Sequence, residues 1–238
     1  MDIRKKLQES SDLEDLKQSL LDLDSEFRFK CRRCGKCCKN QNTIILNPRD
    51  IFRIARKQAR TMSAVIGDYT EVYIGSDSRI PIVHLLPKGP KNTCPLLVDG
   101  RCSVHDCKPG ACALYPLARI IIAPAPGERI GPEHVRYMLN DYICGSAKRV
   151  NTVRSWLDRF NIPEHDEFFI EWSELTIVLG TTIRELEETN RSPKLLEALW
   201  DITYDLLYIQ YDMMQDFMPQ FEAAAQKVRK ICSEIRRL

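Results

Sequence analysis

The sequence predicts an α+β fold, in which a small cysteine-rich metal-binding domain of short strands and helices is followed by an α-helical C-terminal segment. Nine of the ten cysteines fall between residues 31 and 144, together with most of the glycines and prolines. After residue 146 these residues become sparse, and apolar residues recur at helical spacing. With 238 residues, 44% of them hydrophobic, the chain is long enough to bury a sizeable core.

The first segment, residues 1–27, is expected to be helical. Ser11 and Glu14 form a possible capping box, and leucines recur on one face of the helix. These leucines are Leu13, Leu16, Leu20 and Leu23.

The second segment, residues 28–145, is expected to contain only short elements. Asn47 and Pro48 predict the N-cap and first turn of a helix that ends near Lys57, and a second short helix follows near Ser63–Tyr69. The strings "RIPIVHLL" and "RIIIAPAP" are typical of strands, and "APGERIG" closes the latter with a turn.

The third segment, residues 146–238, is expected to be helical throughout. We expect helices near 147–160, from Pro163 to about Thr189, from Pro193 with Ser192 as N-cap, and after Pro219. A stripe of apolar residues at helical spacing predicts either a buried core face or a surface that binds a partner helix. It consists of Leu195, Leu199, Ile202, Leu206 and Ile209.

The net charge of +2 hides two regions of opposite sign. Residues 28–60 carry eleven Lys/Arg against one acid, whereas residues 158–220 carry four Lys/Arg against fourteen Asp/Glu. We expect the two regions either to attract each other or to form solvated faces. Alternatively, the basic region offsets the negative charge of a thiolate cluster or receives an anionic ligand. A protein partner is expected on the acidic helical region. Nucleic acid fits the basic stretch less well, because interleaved aromatic residues are missing there.

The start of the chain indicates a cytoplasmic location. "MDIRKKLQES" is charged and lacks the apolar region of a secretory signal, and "ARIIIAP" is far too short to span a bilayer. No membrane partner is expected. In a reducing compartment, clustered cysteines are more often metal ligands or catalytic groups than a disulfide framework.

The string "FKCRRCGKCC" favours an iron–sulfur cluster. Its spacing is C-x2-C-x2-C-C, over Cys31, Cys34, Cys37 and Cys38. Three thiols at this spacing wrap a loop around three corners of a cubane, and a distant cysteine followed by proline often completes it. Cys94 precedes Pro95 and fits that fourth position.

Zinc is the alternative metal for the same thiols. Cys31 and Cys34 form a plausible zinc knuckle, which would need a second pair from residues 94–112. Cys37 and Cys38 are consecutive and point apart from an extended backbone, so they are expected to serve different iron atoms or different sites.

Three strings together resemble the YkgJ-type cysteine-cluster proteins, also called the CxxCxxCC or zinc- or iron-chelating domain. They are "FKCRRCGKCC", "NPRDIFRIA" and "CPLLVDGRCSVHDCKPGACALYP", and the likeness covers about residues 29–145. The resemblance implies eight ligands for one or two clusters, namely Cys31, Cys34, Cys37, Cys38, Cys94, Cys102, Cys112 and Cys144. Cys144 stands where many, but not all, members of the family have a late cysteine.

The sequence departs from the family pattern at three positions. Cys107 is extra, His105 stands where tyrosine is frequent, and Ala113 stands where arginine is common. Cys107 and His105 are therefore alternative metal ligands. Tyr115 and Asp106 lie beside expected ligands and are candidates to orient or hydrogen-bond the thiolates. No acid–base pair for catalysis stands out.

One branch of the family consists of flagellin lysine N-methylases, which implies an S-adenosylmethionine-dependent methyltransferase as an alternative function. A strand–GxGxxG–helix unit that would hold such a methyl donor is missing from this sequence. A zinc-stabilised binding module is the other alternative. Whether the chain is an enzyme stays open at this point.

Overall fold

The computed structural model describes residues 19–39, 44–122, 124, 128–142, 144–189 and 193–237. The α+β prediction is confirmed. The strands are β1 Leu20–Leu21, β2 Glu26–Lys30, β3 Ile45–Leu46, β4 Thr70–Ile74, β5 Pro81–Leu85, β6 Leu97–Val98, β7 Arg101–Cys102, β8 Leu117–Ile121, β9 Val135–Leu139 and β10 Ser146–Thr152. The helices are α1 Pro48–Lys57, α2 Met62–Tyr69, α3 Gly110–Leu114, α4 Val153–Asp158, α5 Glu167–Glu188, α6 Pro193–Tyr204 and α7 Phe217–Arg237.

Two compact units make up the fold, and each combines two separate stretches of chain. The first unit comprises residues up to Cys34 and then Leu114–Asp166, and the second comprises Gly35–Ala113 and Glu167–Leu238. The three-segment division at 1–27, 28–145 and 146–238 follows composition and stays a prediction. No helix of the described residues has the length and apolar character needed to cross a membrane.

In the first unit, the antiparallel sheet β1-β9-β8 accompanies the two-stranded ribbon β10-β2. Phe27 and Phe29 are buried on β2 between exposed neighbours, as period-2 alternation requires. Both rings pack edge-to-face on Trp156 of α4, at centroid distances of 5.7 and 5.6 Å. The indole of Trp156 donates a hydrogen bond to the carbonyl of Leu114.

The second unit contains the antiparallel sheet β3-β5-β4, the hairpin β6–β7 and the long helices. Its core joins α1, α2 and β5 to α5, α6 and α7 through residues such as Ile51, Val65 and Leu175. Cys232 of α7, the one cysteine outside residues 31–144, is 1% exposed and packs in this core.

The described residues correct two expectations about secondary structure. Residues 20–21 and 26–30 form strands rather than the end of a helix, and the leucines at 13 and 16 lie outside the described residues. The helix expected near 147–160 begins only at Val153, because residues 146–152 pair with β2. The hydroxyl of Thr152 caps α4 by accepting the N–H of Ser155.

The remaining helices agree closely with the sequence patterns. α1 has Asn47 as N-cap and a complete capping box, and α2 begins within one residue of the expected position. α5 begins at Glu167 rather than Pro163, and α7 begins at Phe217. α6 begins at Pro193, whereas its expected N-cap at 192 lies outside the described residues, as does part of the "APGERIG" turn.

Candidate metal centre

The hairpin β6–β7 in the second unit positions two cysteines. Its two-residue loop, Asp99–Gly100, has positive φ at both positions, 49° and 73°, as a type I′ turn requires. The register pairs Leu97 with Cys102. The N–H of Leu97 donates to the carbonyl of Cys94 at 3.0 Å. The hairpin therefore holds Cys94 and Cys102 at its open end.

The segment around Cys37 and Cys38 also lies against this hairpin. Gly35 has a φ of 68° and precedes the 3₁₀ turn Lys36–Cys38. A Cβ at Gly35 would lie 3.2 Å from the carbonyl oxygen of Gly100, so both the backbone angle and the close approach favour glycine. The N–H of Cys94 donates to the carbonyl of Cys38 at 2.8 Å, which fixes the turn carrying Cys37 beside the hairpin.

Helix α3 brings Cys112 to the same region through Asp50. The carboxylate of Asp50 accepts the N–H of Gly110 at 2.8 Å and the N–H of Asn47 at 3.2 Å. Asp50 is only 3% exposed. Burial raises the pKa of this carboxyl, although the two hydrogen bonds and the nearby Arg49 and Arg53 oppose the shift. Asp50 thus ties the start of α3 to the start of α1.

Four thiols of the second unit act on one another electrostatically. We call Cys37, Cys94, Cys102 and Cys112 the four-thiol group. Burial raises the pKa of Cys94, Cys102 and Cys112, and the neighbouring thiols of the group raise it further. Lys108 opposes this effect at both Cys102 and Cys112. Neighbouring thiols resist ionising at the same time, because their negative charges repel one another. A bound metal cation offsets that repulsion and allows all of them to ionise.

Backbone N–H groups point at several of the sulfurs. Leu96 and Leu97 donate to Cys94, and Val104 donates to Cys102. In the first unit, the N–H of Arg33 lies 3.4 Å from the sulfur of Cys31. In each case a donor lies two residues after the cysteine. Such bonds favour the thiolate, which is the form that binds metal.

Three of the eight expected ligands belong to the first unit. Cys31 is half-buried and Cys34 is exposed after the end of β2, and Cys144 precedes β10. The thiol of Cys144 donates to the hydroxyl of Tyr115 at 3.9 Å, and the expected role of Tyr115 toward a metal-bound thiolate stays a prediction. The C-x2-C-x2-C run is thus divided between the units, because the boundary falls between Cys34 and Gly35.

The other sequence candidates all lie in the second unit. Cys38 is half-buried in the 3₁₀ turn. Cys107 is buried and packs in the hydrophobic core, where burial raises the pKa of its thiol. His105 lies in the same short 3₁₀ helix as Cys107. Asp106 forms an ion pair with Lys57 of α1, and this hydrogen bond lowers the pKa of the carboxyl.

A separate trio of side chains that the sequence did not group together lies in the first unit. Ligand atoms of Glu128, Glu133 and His134 lie within 4.8 Å of one another. Among the described residues, no three cysteine sulfurs meet this distance. Nδ1 of His134 already accepts the N–H of Gly131 at 3.0 Å. Within the second unit, the four-thiol group is therefore close in the fold without direct contact among three sulfurs.

Two residues that organise the thiols were not among the predicted site residues, namely Asp50 and Lys108. Asp50 carried a signal, because it is the single acid among eleven cations between residues 28 and 60 and follows Asn47 at capping-box spacing. Lys108 carried no distinguishing signal. Its effect depends on the position of two cysteines brought together by the fold.

The comparisons with known proteins agree with this site. Residues 30–145 match the family model CxxCxxCC, described as "Putative zinc- or iron-chelating domain". The match includes all nine cysteines between residues 31 and 144. No curated protein and no solved structure matches the chain. The resemblance to the CxxCxxCC domain is confirmed, and chelation of zinc or iron is the function that this family model indicates.

Proposed function

We propose that this chain, which carries the CxxCxxCC domain over residues 30–145, holds an iron–sulfur cluster on the four-thiol group. The observation that carries the proposal is structural: the N–H of Cys94 bonds the carbonyl of Cys38 beside Cys37, the hairpin register places Cys102 opposite Leu97, and Asp50 holds the start of the helix that carries Cys112. The four thiols come from separate parts of the chain and converge where burial penalises their ionisation. Thiolates are soft donors that suit iron–sulfur clusters and zinc.

The spacing of these four thiols supports iron–sulfur over zinc. Structural zinc sites usually contain pairs spaced C-x2-4-C. The four-thiol group contains no such pair, because its nearest members in sequence, Cys94 and Cys102, are eight positions apart. Four thiols from three segments, the 3₁₀ turn, the hairpin and α3, suit a polynuclear cluster with one cysteine at each iron.

The protein's own residues prepare this site for a cluster. Backbone N–H groups stabilise the thiolates of Cys94 and Cys102, and Lys108 adds positive charge. The core beneath Cys94 and Cys102 limits the access of water from one side. When bound, the cluster would supply a structural cross-link or carry an electron, and both uses suit a fully ligated site.

Zinc in the first unit is the second candidate. Cys31 and Cys34 form the one C-x2-C pair that lies wholly within a single unit, and the N–H of Arg33 points at Cys31. This geometry favours a zinc knuckle. Cys144 provides a third thiol in the same unit.

The proposal includes a cytoplasmic location, where reduced thiols are available as ligands. It also includes a protein partner on the acidic helical region. Several acids of α5 are already paired, since Glu171 and Glu174 contact Arg229 of α7. Exposed Glu197 and Asp201 of α6 have no such ion pair with the described residues and are the better candidates for contact with a basic partner.

Spectroscopy on protein purified without oxygen tests the metal assignment. A cluster would give a broad absorption band near the violet and a paramagnetic resonance signal in one of its oxidation states. Both signals should disappear in a variant that lacks Cys102 and persist in one that lacks Cys232. A colourless protein that contains zinc and gives no resonance signal would contradict the proposal. It would favour the alternative function, a zinc-stabilised binding module.

A further inference from the structure

The ribbon β2–β10 in the first unit has one buried face and one strongly basic face. Phe27 and Phe29 point inward, and Arg28 and Lys30 point to solvent, as does Glu26 at the start of β2. Other exposed cations follow on the same unit, just after β2 and within β10. We call the following residues the ribbon cations: Arg28, Lys30, Arg32, Arg33, Lys148 and Arg149.

A bulge in β10 presents two of the ribbon cations. Ser146 pairs with Lys30 and Val150 pairs with Arg28, so three residues of β10 lie opposite one residue of β2. The extra length carries Lys148 and Arg149 outward. Such bulges are maintained features that redirect side chains, often next to functional sites.

Buried Asn151 holds this bulge in place. Its side-chain amide donates to the carbonyl of Phe29 at 2.8 Å, across the ribbon, and to the carbonyl of Arg149 at 3.3 Å, within the bulge. Phe29 in turn packs on Tyr115, Tyr142 and Trp156. The cations therefore project from a backbone that is fixed from beneath.

The charge of the ribbon cations is not neutralised by the described part of the chain. None of the six forms an ion pair with a described carboxylate, whereas Arg154 in the same unit pairs with both Asp24 and Glu164. Six like charges on a small surface repel one another, and this repulsion is relieved by a polyanion.

We propose that the ribbon cations bind the phosphate backbone of a single-stranded nucleic acid. Arg28 and Lys30 lie two positions apart on the same face of β2, so their Cα atoms are spaced by about 6.6–6.8 Å. These two strand cations, with the two bulge cations beside them, fit a linear polyanion of regularly repeated charge. The surface carries little apolar area for insertion into a lipid bilayer, since Val150 is the one large exposed hydrophobic residue among the described residues of the ribbon.

This proposal is independent of the metal centre, because it depends on residues that are not metal ligands. The probe is a fluorescent oligouridylate, with an oligothymidylate of equal length, titrated with the full-length metal-loaded chain and followed by anisotropy. If four phosphates are neutralised, the slope of log K against log salt is expected to be about −3. Binding of either oligomer supports backbone recognition, and stronger binding of the RNA would assign a contact to the 2′-hydroxyl.

The main variant is Lys148→Glu/Arg149→Glu, and its matched control is Lys227→Glu/Lys230→Glu on the exposed face of α7. Both change the net charge equally. The bulge variant should weaken binding at least about tenfold and flatten the salt slope, whereas the control should change affinity less than about twofold. Arg28→Gln/Lys30→Gln provides a second, milder test if the charge reversal disturbs folding in circular dichroism.

Three results would overturn the proposal. The first is the absence of binding at low salt. The second is an equal loss of affinity in the bulge variant and the α7 control, which would indicate a net-charge effect. The third is tighter binding to anionic vesicles or polyglutamate than to either oligonucleotide, which would assign the ribbon cations to a membrane surface or an acidic protein.

Discussion

Asp50 is a single buried carboxylate that connects two helix starts with the metal centre. It accepts N–H groups from Asn47 of the α1 cap and Gly110 of α3, and α3 carries Cys112. Loss of a buried acceptor leaves its donors unpaired, which typically costs about 1–3 kcal/mol. Asp50 is therefore a positioning residue and not a ligand.

Asp50→Ala should lower the free energy of unfolding by about 1–3 kcal/mol and reduce metal occupancy. Asp50→Asn should have a smaller effect, because its amide oxygen can still accept the N–H of Gly110. Denaturant unfolding and metal analysis of the same preparations measure the two effects. The exposed Asp201→Ala on α6 is the control. Full occupancy in Asp50→Ala would remove Asp50 from the account of the site.

The neighbouring cysteines 102 and 107 provide a test of which thiols bind metal. Cys102 belongs to the four-thiol group, whereas Cys107 packs in the core. Cys102→Ser should lose the cluster, and Cys107→Ala should keep it at a cost in stability of about 1 kcal/mol for the lost packing. Metal content per folded chain is the measurement. The assignment fails if Cys107→Ala loses the metal and Cys102→Ser retains it.

At the scale of elements, the loop between β4 and β5 packs closely on α5. A Cβ at Gly180 would lie 2.5 Å from the carbonyl oxygen of Ser78. Gly180→Ala should therefore destabilise the fold by about 1–3 kcal/mol, because backbone must shift. Gly67→Ala in α2 is a matched control with open space around it, and it should stabilise by about 0.4–1 kcal/mol. Thermal unfolding compares the two, and equal effects would contradict the close approach.

The same loop is joined to α5 by the ion pair between Arg79 and Glu187. Hydrogen bonding to Arg79 lowers the pKa of Glu187 below 4.5. Between the lowered pKa and pH 4.5, the folded chain therefore binds fewer protons than the unfolded chain. The stabilisation is complete above pH 4.5 and is lost as the pH falls through the lowered pKa of Glu187.

The size of this effect is modest because both side chains contact solvent. Arg79→Gln should cost about 0.5 kcal/mol at neutral pH. The difference in unfolding free energy between the wild type and this variant should shrink as the pH falls below 4.5. Urea unfolding at a series of pH values measures it. A difference that grows toward acid pH would refute the sign.

Elements determined by nearby residues were predictable, and those determined by distant partners were not. α1 follows from Asn47 and Pro48, which act within one helical turn. β10 was missed, because its conformation depends on pairing with β2, more than a hundred residues earlier. Cysteine as the ligand type, and the family, were predictable from the spacing of the cysteines in the sequence. Their grouping was not, because the left-handed turn at Gly35 redirects the chain between Cys34 and Cys37.

At the scale of the whole molecule, the thiols are distributed over two units that each recruit distant stretches of chain. In the second unit, a cluster would join the turn at Lys36–Cys38, the hairpin and α3. Cross-links between segments far apart in sequence stabilise mainly by restricting the unfolded chain. Metal-free protein is therefore expected to unfold at a lower temperature than the loaded protein.

The most direct measurement is iron, zinc and acid-labile sulfide per chain, on full-length protein purified without oxygen. The account predicts iron and sulfide in equal amounts. Zinc bound in addition at Cys31 and Cys34 would not change this ratio. Zinc with no sulfide would contradict an iron–sulfur cluster on the four-thiol group.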